Sequence, residues 1–196
     1  MNKNVFTAAL AATAILSIAP AFGQSNVRFS YDGRPERLFR TVKGLNMHDA
    51  QGMRDAAVSN MLEIKTSELA LERGQSAWVR QYAKEMIADH KAAHEELRLI
   101  AQRKGFDLPD GLPVAKQRMV SQLANLRGAA FDRKYREIQL MGHRETSAKF
   151  QNHIKGGRDE DVKSYLVKSL PAVKMHYRLA QIQRTMTGPT KMEHNG

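Results

Sequence analysis

Four long stretches of this chain repeat their apolar residues every three or four positions, and each is bounded by Gly, Pro or a capping side chain. That interval follows one face of an α-helix, at about 3.6 residues per turn. No run of alternating β-branched residues appears, so no strand is expected and the fold is read as all-α.

The first pattern runs from Met47 to Arg73. Asn46 precedes it as a cap with Asp49 three residues on, and Gly74 closes it. Its apolar stripe is Met53, Ala57, Met61, Ile64 and Leu71, beside a small-residue stripe of Ala56, Asn60, Glu63, Ser67 and Ala70. The second starts behind Ser76 and runs to about Lys104, where Gly105 stops it; its face holds Val79, Tyr82, Met86, His90, Ala93, Leu97 and Ile100. Pro109, Gly111 and Pro113 force a loop, followed by a short helix over about 114–126. The third long pattern spans about 129–155, with Tyr135, Gln139, His143, Thr146 and Phe150 in phase, until Gly156-Gly157. The fourth spans about 159–186, with Val162, Leu166, Ser169, Val173, His176 and Ala180 in phase. Pro171 lies inside it and is expected to kink it, because proline lacks an amide hydrogen and crowds the preceding turn. Four long helices joined mainly by short links predict an antiparallel up-down-up-down four-helix bundle, with the short helix between the second and third.

The flanks read differently. Lys3 followed by the apolar run Phe6–Ala19 and the small residues Ala21 and Gly23 marks 1–23 as a secretory signal peptide, cut after Gly23 or Ala21. The apolar run is shorter than the roughly 20 residues a membrane helix needs, and no later segment qualifies as a transmembrane helix. Residues 24–46 form an extended leader with aromatic residues Phe29, Tyr31 and Phe39, residues 47–187 the bundle, and 188–196 a disordered tail. The expected location is the periplasm. With no Cys, the chain has no thiolate ligand, no disulfide and no cysteine nucleophile. Its formal charge of +11 suits anionic envelope components or another periplasmic protein as partner, whereas export argues against nucleic acid. The cations are spread along the chain, the pattern of solvated helix faces.

Three histidines interrupt the inner faces, one on each of three helices and each near its helix's midpoint: His90, His143 and His176. Helices of similar length packed side by side bring their midpoints to one height. Glu63 offers a carboxylate at that height from the first helix, while Asp89 and His94 flank the layer. Imidazole and carboxylate make a suitable shell for one transition-metal ion, Zn, Fe, Cu or Ni. The competing reading is a buried polar layer that fixes helix register without metal. His48, His153 and His194 read as surface or tail residues. Glu-x-x-His pairs of a di-iron centre, a phosphate-binding glycine loop and a His-Glu-x-x-His helix are all missing.

The segments Ala56–Ile64, Tyr82–His90, Ala130–Tyr135 and Leu170–His176 resemble, in order and spacing, an exported bacterial family catalogued as domain of unknown function 4142. The resemblance covers about residues 49–182 and implies a ferritin-like four-helix bundle in the periplasm, with no established activity to carry over. The family pattern includes Glu63, Asp89, His90, His143 and His176. It often has an acid just before the third-helix histidine, where this chain has Gly142. With no complete catalytic constellation, the sequence favours a non-enzymatic envelope or stress-associated binding module over an enzyme. The alternative is a metal-binding bundle built on Glu63, His90, His143 and His176, and a ferritin-like redox enzyme comes third.

Overall fold

The computed structural model describes residues 44–186, with side chains through 182. The segments expected to be signal peptide, leader (up to residue 43, with its three aromatics) and tail lie outside the described residues. Five helices follow in order: α1 (Met47–Arg73), α2 (Ala77–Lys104), α3 (Val114–Ala124), α4 (Gly128–Gly156) and α5 (Glu160–Met186), with no strand among the described residues.

The ends form where local chemistry dictates. The Asn46 side chain accepts from the Asp49 amide at 2.9 Å, and the Asp49 carboxylate accepts from the Asn46 amide at 3.2 Å, a reciprocal capping box. Ser76 caps α2 through the Val79 amide, and Gly105 ends it at φ 62°, a left-handed conformation that a side chain would strain. Asp49 also accepts from the backbone amides of Arg158 and Asp159, which pins the start of α1 to the α4–α5 link. Lys104 at the end of α2 bridges Asp159 at 2.7 Å and Asp161 at 2.8 Å at the start of α5. At the opposite end Asp132 accepts from the amides of Gln75 and Ser76.

The core has two apolar regions. One contains Met53, Leu97, Phe106, Phe150, Val162 and Leu166. The other contains Ala70, Tyr82, Met86, Leu123, Phe131 and Tyr135. Along α1 and α5 the chain passes from the first region to the second; along α2 and α4 it passes from the second to the first. Helices α2 and α4 therefore point the same way, a departure from the strict alternation expected from the sequence. The segment from Phe106 to Leu123 makes this possible: both its ends are buried, one in each region, so the loop and α3 return the chain along the bundle before α4 begins.

One further expectation is corrected in part. The buried face of α1 includes the whole small-residue stripe, Ala56, Asn60, Glu63, Ser67 and Ala70; of the apolar stripe Met53 and Ala57 are buried, whereas Met61 and Ile64 are half-buried and Leu71 is exposed. Small side chains let neighbouring backbones approach, and Asn60 and Ser67 find partners inside in the Tyr165 and Tyr135 hydroxyls. Helix α5 is one helix from Glu160 to Met186 with Pro171 inside it, so the proline does not end it. Pro171 is exposed, and so is Val167, whose carbonyl loses its helical partner there; water can take that bond.

Candidate metal centre

Between the two apolar regions every long helix contributes buried polar residues: Asn60 and Glu63 from α1, His90 from α2, Gln139 and His143 from α4, and His176 from α5. The three imidazoles meet, with ring centroids 5.3 Å apart for His143–His176, 5.5 Å for His90–His176 and 5.7 Å for His90–His143. One ligand nitrogen from each lies within 4.8 Å of the other two.

Each ring is oriented by an acceptor. His90 Nδ1 lies 2.9 Å from Asn60 Oδ1, and Asn60 uses its amide nitrogen to donate to the Tyr165 hydroxyl at 3.1 Å. His143 Nδ1 lies 2.9 Å from the carbonyl of Gln139, one turn back on its own helix. His176 Nε2 lies 2.9 Å from Asp89 Oδ2. Carbonyl and carboxylate oxygens only accept, so each of these nitrogens carries the proton and donates it. The second nitrogen of each neutral ring then holds a lone pair. Those atoms, His90 Nε2, His143 Nε2 and His176 Nδ1, are buried and have no hydrogen-bond partner. Burial lowers the His90 pKa well below the ordinary imidazole range, helped by His143 and His176. It pushes His143 down to about 4 against the raising effect of the Gln139 carbonyl. His176 is also lowered, burial again leading, with Asp89 pulling the other way. All three rings are thus neutral at pH 7, the protonation state a metal ligand requires.

Glu63 stands beside this group. Its Oε1 is 3.9 Å from His143 Nδ1, the nitrogen turned to Gln139. Burial raises its pKa to about 8, opposed by Gln139 and Lys116, so the contact joins two uncharged groups at neutral pH. Its Oε2 is buried without a partner, and the residue is among those lining a cleft of about 30 Å³ between α1 and α4, roughly the space of one water. A Cβ on Gly142 would come within 2.8 Å of Glu63 Oε1, so a glycine at this position leaves room for the carboxyl group.

Of the other candidates, Asp89 is the acceptor that orients His176, and His94 is half-buried one turn from His90 but outside the three-ring group. Sequence reasoning placed His153 at the surface; it is buried and bonded to Asp55 at 2.9 Å. Its i+3 position after the in-phase Phe150 was the available signal. The oriented role of Asn60 was missed as well, although it lay on the small-residue stripe.

The chain belongs to the family described as "Domain of unknown function (DUF4142)", which matches residues 36–182. Among solved structures it is similar to a DUF305 fragment from Deinococcus radiodurans, at 14% identity and a TM-score of 0.64, covering 72% of this chain and 98% of that fragment. At that identity the likeness speaks to fold alone. None of the curated proteins matches the chain significantly.

Proposed function

We propose that this protein is a metal-binding helical bundle that holds one first-row transition-metal ion on His90, His143 and His176. The carrying observation is the set of three buried imidazole lone pairs without a partner, each on a ring whose other nitrogen is tied to an oxygen. Neutral acceptors gathered without a donor leave the desolvation of each unrepaid, and a cation satisfies all three together. Acceptors behind metal-bound histidines fix tautomer and orientation, the arrangement Asn60, the Gln139 carbonyl and Asp89 supply here. Tetrahedral Zn–N bonds place ligand nitrogens about 3.3 Å apart. Starting from nitrogens within 4.8 Å, modest side-chain movement closes the shell. In this reading Glu63 is a neutral neighbour of His143, outside the ligand set.

The order of buried residues along the helices supports a ferritin-like arrangement of antiparallel neighbours with one long return through α3. The signal-like residues 1–23 support export to the periplasm, where the protein acts as a binding module for the ion without turnover. Untagged mature protein should carry close to one ion per chain by elemental analysis, and His90→Ala should carry almost none. Wild-type protein that stays metal-free when offered zinc, copper and nickel in turn would leave the histidines as a register-fixing layer.

A further inference from the structure

A second feature adjoins the histidine layer from outside. Helices α4 and α5 enclose an open groove of about 260 Å³ that has His143 in its lining. Its sides carry Arg144 and Ser147 from α4 and Lys174, Tyr177 and Arg178 from α5, and no carboxylate lines it. Helical spacing assembles the set: Lys174 and Arg178 are one turn apart on α5, and Arg144 and Ser147 are three apart on α4. Ala148, also in the lining, takes up little of the space between them.

The charges in this groove are unbalanced. Several other basic side chains are paired: Lys104 with Asp159, Lys149 with Asp55 and Glu145, Lys168 with Glu96. Arg144, Lys174 and Arg178 form no ion pair or side-chain hydrogen bond with the described residues. Like charges one helical turn apart repel, so Lys174 and Arg178 together disfavour the helix that carries them. Two guanidinium forks and an ammonium supply positive charge around a concave space; Gln151 also lines it, and the Ser147 hydroxyl accepts from Gln151 Nε2 at 3.4 Å and keeps its proton to donate, as the Tyr177 hydroxyl can. Guanidinium matches the paired oxygens of a tetrahedral oxyanion, and the ammonium adds a point charge.

We infer that the α4–α5 groove is a binding site for a phosphate-type oxyanion, free or on a larger molecule, held by Arg144, Arg178 and Lys174 beside the histidine layer. This goes beyond the metal reading and does not require the ion. The cleft on the other flank of α4 shares no lining residue with it and mixes Lys116 and Lys149 with Asp55 and Glu145, charges that already neutralise one another.

The test is a calorimetric titration of full-length mature protein with inorganic phosphate at fixed ionic strength. Saturable one-to-one binding is expected, weakened at least tenfold in R144Q/R178Q and unchanged in the control K84Q/R103Q, which removes two charges from the exposed side of α2. These exposed side chains leave the core intact, and circular dichroism verifies the fold. Metal content should be the same in all three proteins, so loss of phosphate binding is read separately from loss of the ion. Equal weakening in both double variants means a diffuse charge effect and overturns the site; so does the absence of saturable binding. A second arm uses vesicles of phosphatidylcholine with or without phosphatidic acid. Binding to the acidic vesicles that free phosphate displaces assigns the oxyanion to a lipid headgroup, and phosphate binding without vesicle binding assigns it to a soluble ligand. Vesicle binding that phosphate fails to displace contradicts the groove.

Discussion

His176 and His153 are alike taken one at a time. Both are buried, both place Nε2 2.9 Å from an aspartate oxygen, and both leave Nδ1 buried without a partner. They differ in company. His176 faces two more buried imidazoles, whereas the ring near His153 is that of exposed His48, at a centroid distance of 6.0 Å. The aspartates differ too: Asp55 is shared with Lys149 at 3.1 Å, while Asp89 has His176 as its one ring partner among the described contacts. Burial, an oriented tautomer and an idle lone pair therefore do not define a centre. Convergence of three such groups does, because one cation can then repay three desolvated acceptors at once.

The comparison breaks most decisively at the ligands themselves. His176→Ala should weaken zinc binding by more than about a hundredfold, beyond the 10–100-fold range that follows loss of an orienting partner. His153→Ala should leave it unchanged. Competition titration against a chromophoric chelator measures both. If the two substitutions act equally, the ion is not held where the imidazoles meet.

The aspartates sharpen the point at smaller amplitude. Asp89→Ala removes the acceptor behind His176 and should lower zinc affinity about 10–100-fold, with the one-to-one stoichiometry retained. Asp55→Ala, which strips the same kind of partner from His153, should leave affinity alone and lower the melting temperature, since His153 loses its acceptor and Lys149 keeps only Glu145. Calorimetric titration and thermal melts on the same two variants separate these effects.

Much of this was legible before any coordinates, for identifiable reasons. The caps at Asn46, Ser76 and Gly105 are local signals, so α1 and α2 end where the sequence places them. The meeting of His90, His143 and His176 was readable because a helix's midpoint keeps its height when the helix is reversed; the layer thus survived the correction in the direction of α4 relative to α2. That direction was not legible. It depends on whether residues 106–127 turn back at once or travel the bundle's length, and periodicity inside a segment does not record where the segment goes. The buried face of α1 was read only in part, since apolar periodicity favours Met61 and Leu71 while close packing selects the small and polar stripe. The groove cations were visible as letters, but their lack of partners is a property of three-dimensional neighbours.

The smallest expected effect distinguishes the imidazoles from the carboxyl group within the layer, and it concerns the metal-free protein. A histidine held neutral by burial gives stability that is complete above its unfolded pKa near 6.5 and is lost as pH falls toward the folded value, about 4 for His143. Glu63 has the opposite sign. Its pKa rises from 4.5 unfolded to about 8 folded, so its contribution is complete below pH 4.5 and is lost as pH rises through 8. Between pH 8 and 6.5 only Glu63 titrates differently in the two states, and stability should rise as pH falls, by about 1–2 kcal/mol for a window of this width. Below pH 6.5 the three layer histidines, and His94 whose pKa burial also lowers, act against one carboxyl group, and stability should fall. Urea denaturation of chelator-treated protein should therefore show a maximum near pH 6.5. In Glu63→Gln the rise between pH 8 and 6.5 should vanish while the fall below it persists, because the amide carries no proton equilibrium and the imidazoles keep theirs. A wild-type curve flat from pH 8 to 6.5 would place the Glu63 carboxylate in contact with solvent or with a cation, and the neutral-neighbour description of the layer would then fail at that residue first.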